Sequence, residues 1–142
     1  MADALFIDTW GWLALGHKQD PFHSTVKSYY AAAQKNLHPV VTSDYVLDET
    51  ITLIFRRETT DEAIKFMEGI YQSADSGFLT IERVTTGRFA AAWQLRKRLS
   101  DKPLISFTDI VSMVIMQERG IQRILTRDEH FLHVGMDLQF AP

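Results

Sequence analysis

The sequence has no cysteine. That excludes disulfides, thiolate metal sites and cysteine nucleophiles together, and it fits a reducing, cytoplasmic setting. No apolar run approaches the ~20 residues needed to cross a bilayer, so no membrane association is expected. The start, Met1-Ala2-Asp3-Ala4, is acidic, and Asp8 interrupts the first apolar run. Both features read against a signal peptide, which needs a basic start and an unbroken apolar core. There is no Gly-x-x-x-x-Gly-Lys loop, which removes the common nucleoside-triphosphatase class. Positive charge is not in excess: the formal net charge is −3. A protein that coats duplex nucleic acid is usually strongly basic. An enzyme that grips a short single strand through a bound metal and a few arginines remains open.

What is present fits one domain over residues 1–142, with no repeat and no Pro-, Gly- or Ser-rich linker. Short apolar strands alternate with helical patterns, the signature of an α/β fold with a central parallel sheet. The first strand is predicted over Ala4–Ile7, followed by a short helical segment, Trp10–Leu15. Pro21 opens a helix to about Leu37, Pro39 stops it, and Pro39–Thr42 reads as the second strand. The third helix runs Ser43–Arg57, with Val46, Leu47, Ile51, Ile54 and Phe55 at helical spacing. Thr59 and Glu62 match a capping box for a helix that presents Ala63, Ile64, Met67, Ile70 and Tyr71. Phe78–Ile81 is the third strand. A helix from Thr86 is expected to turn Phe89, Ala92, Trp93 and Leu99 inward. Another starts at Ser106 and ends at Gly120. Arg123–Thr126 is the fourth strand, and Met136–Phe140 a candidate edge strand.

Four acids fall at meaningful places on this map. Asp8 and Asp128 follow the first and fourth strands. Glu49 lies in the third helix and Asp109 in the first turn of a later one. In open α/β sheets, ligands gather beyond the carboxyl ends of the strands. Each acid has an ordinary explanation by itself: Asp109 completes a Ser-x-x-Asp cap with Ser106, Asp8 caps the next helix, Asp128 is a loop acid, and Glu49 is a solvated helix residue. Their convergence is harder to dismiss. Two carboxylates ~4 Å apart repel by about 4 kcal/mol at an effective dielectric of 20, so a shared pocket calls for protonation or a cation. A set of hard oxygen donors without thiolate or clustered imidazole suits Mg²⁺ or Mn²⁺, the ions of phosphodiester hydrolysis.

The stretches around these acids are Phe6-Ile7-Asp8-Thr9, Val46-Leu47-Asp48-Glu49-Thr50, Ser106-Phe107-Thr108-Asp109 and Ile124-Leu125-Thr126-Arg127-Asp128-Glu129-His130-Phe131. In this order and spacing, with Glu118-Arg119-Gly120-Ile121 between them, the chain resembles the PIN-domain ribonucleases and, within them, the VapC toxins. The resemblance implies a PIN-like fold of about five parallel strands flanked by helices on both faces. It implies that Asp8, Glu49, Asp109 and Asp128 form a catalytic metal site for Mg²⁺, with Mn²⁺ as a substitute. Thr9, Ser106, Thr108 and Thr126 would then hydrogen-bond to carboxylates, phosphate or water, and Arg127 would stand beside the substrate. It also implies an RNA substrate, a cognate antitoxin and a homodimer. Trp10 departs from the pattern, where a small polar residue is common, and narrows the mouth.

Other features carry less. Arg56-Arg57 and Arg127 are placed to steer a phosphate backbone, whereas Arg96-Lys97-Arg98 reads as a solvated face. His130 and His133 have a metal-like spacing but no third histidine nearby, and His17, His23 and His38 are scattered. The aromatic-rich first third (Trp10, Trp12, Phe22, Tyr29, Tyr30) reads as core, or as a groove for an antitoxin segment or a second copy. A haloacid-dehalogenase-like phosphatase needs a second Asp where Trp10 stands. A response-regulator receiver needs paired early acids and a late Lys, and neither is found. A PIN-like scaffold with vestigial acids and a stand-alone processing nuclease are the remaining alternatives.

Overall fold

Leu5–Ile7 forms β1, and all three side chains are buried. A strand buried on both faces reads as a continuous apolar run, as here. The structure, a computed structural model, describes residues 3–127, 131 and 139–141. After β1 come α1 (Thr9–Gly16), α2 (His23–Lys35), β2 (Val40–Ser43), α3 (Asp44–Arg57) and α4 (Thr60–Asp75). They are followed by β3 (Leu79–Glu82), α5 (Thr86–Arg98), α6 (Phe107–Arg119), β4 (Arg123–Leu125) and β5 (Gln139–Ala141). The five strands pair in parallel in the order β3-β2-β1-β4-β5, and helices flank the sheet on both faces. The expected edge strand is β5, described at Gln139–Ala141; residues 136–138 of its predicted span lie outside the described residues.

Capping side chains set the helix starts. Asp8, Ser43, Thr59, Thr85 and Ser106 each accept a hydrogen bond from a backbone N–H in the first turn of the helix they precede. Gly120 ends α6 in the left-handed region at φ 68°, which glycine enters without a Cβ penalty. The core lies on the sheet around Phe6, Trp12, Ile54, Ile110, Met113 and Phe131. Within it, Trp12 Nε1 donates to Thr42 Oγ1 at 3.0 Å, and Thr42 donates in turn to the Ile7 carbonyl at 2.9 Å. The only polar group of the buried indole is thereby satisfied, and α1 is tied to both central strands.

Two expectations change. Phe89 and Trp93 do not turn inward: they are 48% and 52% exposed, while Ala92 is the buried residue of α5. Phe89 packs on Phe107 with ring centres 5.0 Å apart and planes tilted by 56°, and Trp93 lies near the Lys97 ammonium. The apolar stripe of α5 is wider than the surface it meets. Ile51, Phe55, Ile64 and Tyr71 are left half-exposed on α3 and α4 for the same reason. Arg96 is not a solvated charge either. It reaches forward to the carbonyls of Leu99, Lys102 and Ile105, closing the turn between α5 and α6.

A charged network joins β3, α5 and α6. Arg88 pairs with Glu82 at 2.8 Å and with Glu118 at 3.1 Å, and Arg119 also reaches Glu82. Burial would raise the Glu82 carboxyl, but the hydrogen bonds and charges of Arg88 and Arg119 outweigh it and hold it below its ordinary value. No helix among the described residues is long and apolar enough to cross a membrane.

Candidate active site

The strand order fixes where a site can form. From β1 the chain builds outward through β2 to β3, then returns to place β4 on the other side of β1. The crevice beyond the carboxyl ends of β1 and β4 is the switch point at which such sheets bind ligands. Asp8 follows β1 at this point. Its backbone is extended, it is only 4% exposed, and its carboxylate accepts from Gly11 N at 3.1 Å. The acid is thus held by the first turn of α1.

The other acids arrive on helices. Glu49 lies half-buried one turn into α3, whose start is fixed by Ser43 Oγ accepting from Val46 N at 3.1 Å. Asp44 secures that start to the end of β3 by accepting from Val84 N at 3.1 Å. Asp48, the neighbour of Glu49, points to solvent. Asp109 occupies the first turn of α6, with Ser106 Oγ accepting from its N–H at 3.1 Å. The cap and the cleft acid are therefore not competing explanations. Both Asp8 and Asp109 sit at helix N-termini, where unpaired N–H groups favour negative charge.

Asp8, Glu49 and Asp109 line one cleft of about 530 Å³. Thr9, Trp10, Ser106 and Arg127 line it too, with Leu13 and Leu104. Thr126 is fully buried at the end of β4 and is not among the lining residues; neither is Thr108, whose carbonyl accepts from Ser112 Oγ at 2.9 Å. Asp128, His130 and His133 lie outside the described residues.

Asp20 and Arg57 are further lining residues. Asp20 sits in the turn between α1 and α2 and accepts from Phe22 N at 2.8 Å. Its only mark in the sequence is the turn-forming Asp20-Pro21 pair, which says nothing about the cleft. Arg57, in the last turn of α3, was legible only as a charge that could steer phosphate. At the mouth, the Arg127 guanidinium lies 4.6 Å from the centre of the Phe22 ring, and Trp10 packs on the same ring at 5.5 Å. The scattered histidines have structural partners: His17 meets Glu58, His23 the Ala14 carbonyl and His38 the Asp3 carbonyl.

Among the described residues, no three acids or histidines close on a single ion-sized point. A zinc cage would need such a cluster. Mg²⁺ does not: it uses one or two carboxylates and keeps several waters, for which the cleft has room. The donor chemistry of Asp8, Glu49 and Asp109 fits a hydrated hard cation.

The PIN-domain family model matches residues 5–136. The 23S rRNA-specific endonuclease VapC20 of Mycobacterium tuberculosis is 34% identical over 137 residues, 92% of this chain and 94% of the relative, in both strains CDC 1551 and H37Rv. The crystal structure of Mycobacterium tuberculosis VapC20, a sarcin–ricin loop cleaving toxin, superposes with a TM-score of 0.79 at 31% identity, covering 94% of this chain and 98% of that one. VapBC2 of Rickettsia felis, solved with a DNA fragment from its promoter, shares the fold at a TM-score of 0.73 and 16% identity, covering 97% of each chain. The matched span takes in the strands and helices that carry Asp8, Glu49 and Asp109, and with it the chain belongs to the PIN-domain family, on its VapC-type branch.

Proposed function

We propose that this chain is a divalent-metal-dependent endoribonuclease and the toxin of a VapBC-type module. The observation that carries the reading is the convergence of Asp8, Glu49 and Asp109, from three separate elements, on one cleft with Arg57 and Arg127. A stack of acids alone would repel a phosphate; acids with arginines at the mouth suit a metal site that receives a phosphodiester. The name of the VapC20 relative points the same way and makes the sarcin–ricin loop of 23S rRNA the first substrate to try.

In this reading Asp8 and Asp109 hold Mg²⁺, or Mn²⁺ in its place, and Glu49 and Asp128 complete the shell or orient water. When bound, the ion supplies positive charge for the phosphate oxygens in the transition state. Thr9, Ser106, Thr108 and Thr126 would hydrogen-bond to carboxylates, phosphate or water. Arg57 and Arg127 receive the flanking phosphates. Water attacks phosphorus in line with the departing 3′-oxygen, leaving a 5′-phosphate and a 3′-hydroxyl.

Partners follow from the surface. The half-exposed side chains of α3, α4 and α5 offer apolar area to a second copy. A groove of about 450 Å³, walled by Trp12, Leu15, Phe66 and Ile70, suits an apolar antitoxin segment. The test of function is incubation of the pure, antitoxin-free protein with sarcin–ricin loop RNA and with mixed single-stranded RNA, in Mg²⁺ and in EDTA. Cleavage confined to Mg²⁺, with 5′-phosphate ends, is expected. Equal cleavage in EDTA removes the metal-dependent mechanism, whereas no cleavage of either RNA by folded protein removes the nuclease reading and leaves a scaffold.

A further inference from the structure

We propose that Phe22 and Trp10 form a platform for a nucleobase beside the scissile phosphate, and that Arg127 occupies that platform until RNA arrives. The inference rests on the endoribonuclease reading and adds how the strand is gripped. Trp10 lines the acidic cleft, Phe22 packs on it at 5.5 Å, and the Arg127 guanidinium covers the Phe22 ring at 4.6 Å. Phe22 and Trp10 are both only partly buried. Trp10 lines the cleft and Phe22 packs beside it, so the pair stands next to the acids that would receive the phosphate.

The occupant follows from charge and shape. An arginine over an aromatic ring is a planar cation on a π face, and a nucleobase is the planar group that can replace it. Stacking of a base on an aromatic ring outweighs an exposed guanidinium–phenyl contact. The exchange also frees the guanidinium, which pairs with phosphate through two parallel N–H donors. One movement thus converts a resting contact into two contacts with the strand. A peptide aromatic would satisfy Phe22 but would leave the freed Arg127 without an anion. Stacking accepts any base, so this platform positions the strand and sequence choice lies elsewhere.

The test uses the full chain carrying Trp93→Phe, which removes an exposed indole that does not line the cleft and leaves Trp10 as the responsive fluorophore beside buried Trp12. The probes are hexa-adenylate and an abasic ribose–phosphate oligomer of the same length and charge, bound with Ca²⁺ in place of Mg²⁺. Hexa-adenylate should bind about tenfold or more tightly than the abasic oligomer and quench Trp10. Phe22→Leu, which keeps apolar volume without a π face, should bring that ratio close to one by weakening hexa-adenylate alone, whereas Phe22→Tyr should preserve it. Arg127→Gln should weaken both probes. Equal affinity for the two probes in the parent protein, or an unchanged ratio in folded Phe22→Leu, overturns the platform while leaving the nuclease reading intact. Failure to bind either probe also overturns the platform; the nuclease reading is judged separately, by cleavage of sarcin–ricin loop RNA in Mg²⁺.

Discussion

The carboxylate of Asp8 accepts a hydrogen bond from the backbone N–H of Gly11 at 3.1 Å, where β1 passes into α1. The same acid caps a helix and faces the cleft, so its position depends on a helix that must lie close to the sheet. A Cβ on Gly11 would come within 2.9 Å of both Ile7 Cγ2 and the Leu125 carbonyl oxygen. Gly11→Ala is therefore expected to push α1 off the sheet, at a cost of about 1–3 kcal/mol, and to lower cleavage more than stability alone explains. Denaturant melts together with kcat of the folded fraction read both effects. A variant as stable and active as the parent contradicts the close approach.

The Trp12–Thr42 contact makes a second prediction. Thr42→Val keeps the shape of the side chain but removes the acceptor for the buried indole N–H. Loss of about 1–3 kcal/mol is expected by urea unfolding, because a buried donor without a partner bears its full desolvation cost. Thr42→Ser, which keeps the hydroxyl, should recover part of it. Equal stability of the Val and parent proteins would show that the N–H is satisfied otherwise.

Glu82 predicts a pH dependence. Its folded-state carboxyl is held below the ordinary value of 4.5 by Arg88 and Arg119, against the opposing effect of burial. A depressed carboxyl stabilises the fold above its unfolded pKa, and that contribution disappears as pH falls through the folded one. Glu82→Gln should thus be less stable than the parent at pH 7, by about 1 kcal/mol for a largely surface network. The gap should begin to narrow as pH falls through the ordinary value of 4.5 and close only below the depressed folded one. A gap that persists unchanged in acid would contradict the assignment.

Adjacent acids on α3 separate the cleft from the surface. Asp48 points to solvent and Glu49 lines the cleft. Asp48→Asn is expected to cleave RNA at the parent rate, and Glu49→Gln to fall by roughly 100-fold, as for loss of one preorganised electrostatic group. Equal losses in the two variants would mean that general charge, rather than the cleft, governs activity.

Most of the frame was legible in the sequence because local chemistry and tertiary structure agree there. Ser43, Thr59 and Ser106 start the helices they announce, Gly120 ends one, and β1 and β2 read as buried because they are. Asp8 and Asp109 were legible through their places at a strand end and a helix start, and Glu49 through its place in the third helix. What was missed depends on distance across the fold. Nothing in Asp20-Pro21 shows that the turn folds over the acids, and nothing in Arg96 shows three carbonyls waiting across the next turn. Phe89 and Trp93 fit a helical stripe, but periodicity cannot say how much of a stripe finds a partner.

The most direct test of the account is Mg²⁺ binding by calorimetry alongside RNA cleavage for the parent, Asp8→Asn and Asp109→Asn proteins. The account predicts that the parent binds Mg²⁺ and cleaves, and that each variant loses metal affinity and falls by at least about 100-fold in rate while its melting profile stays cooperative. Full cleavage by either folded variant, or cleavage by a parent protein that binds no divalent ion, would contradict it.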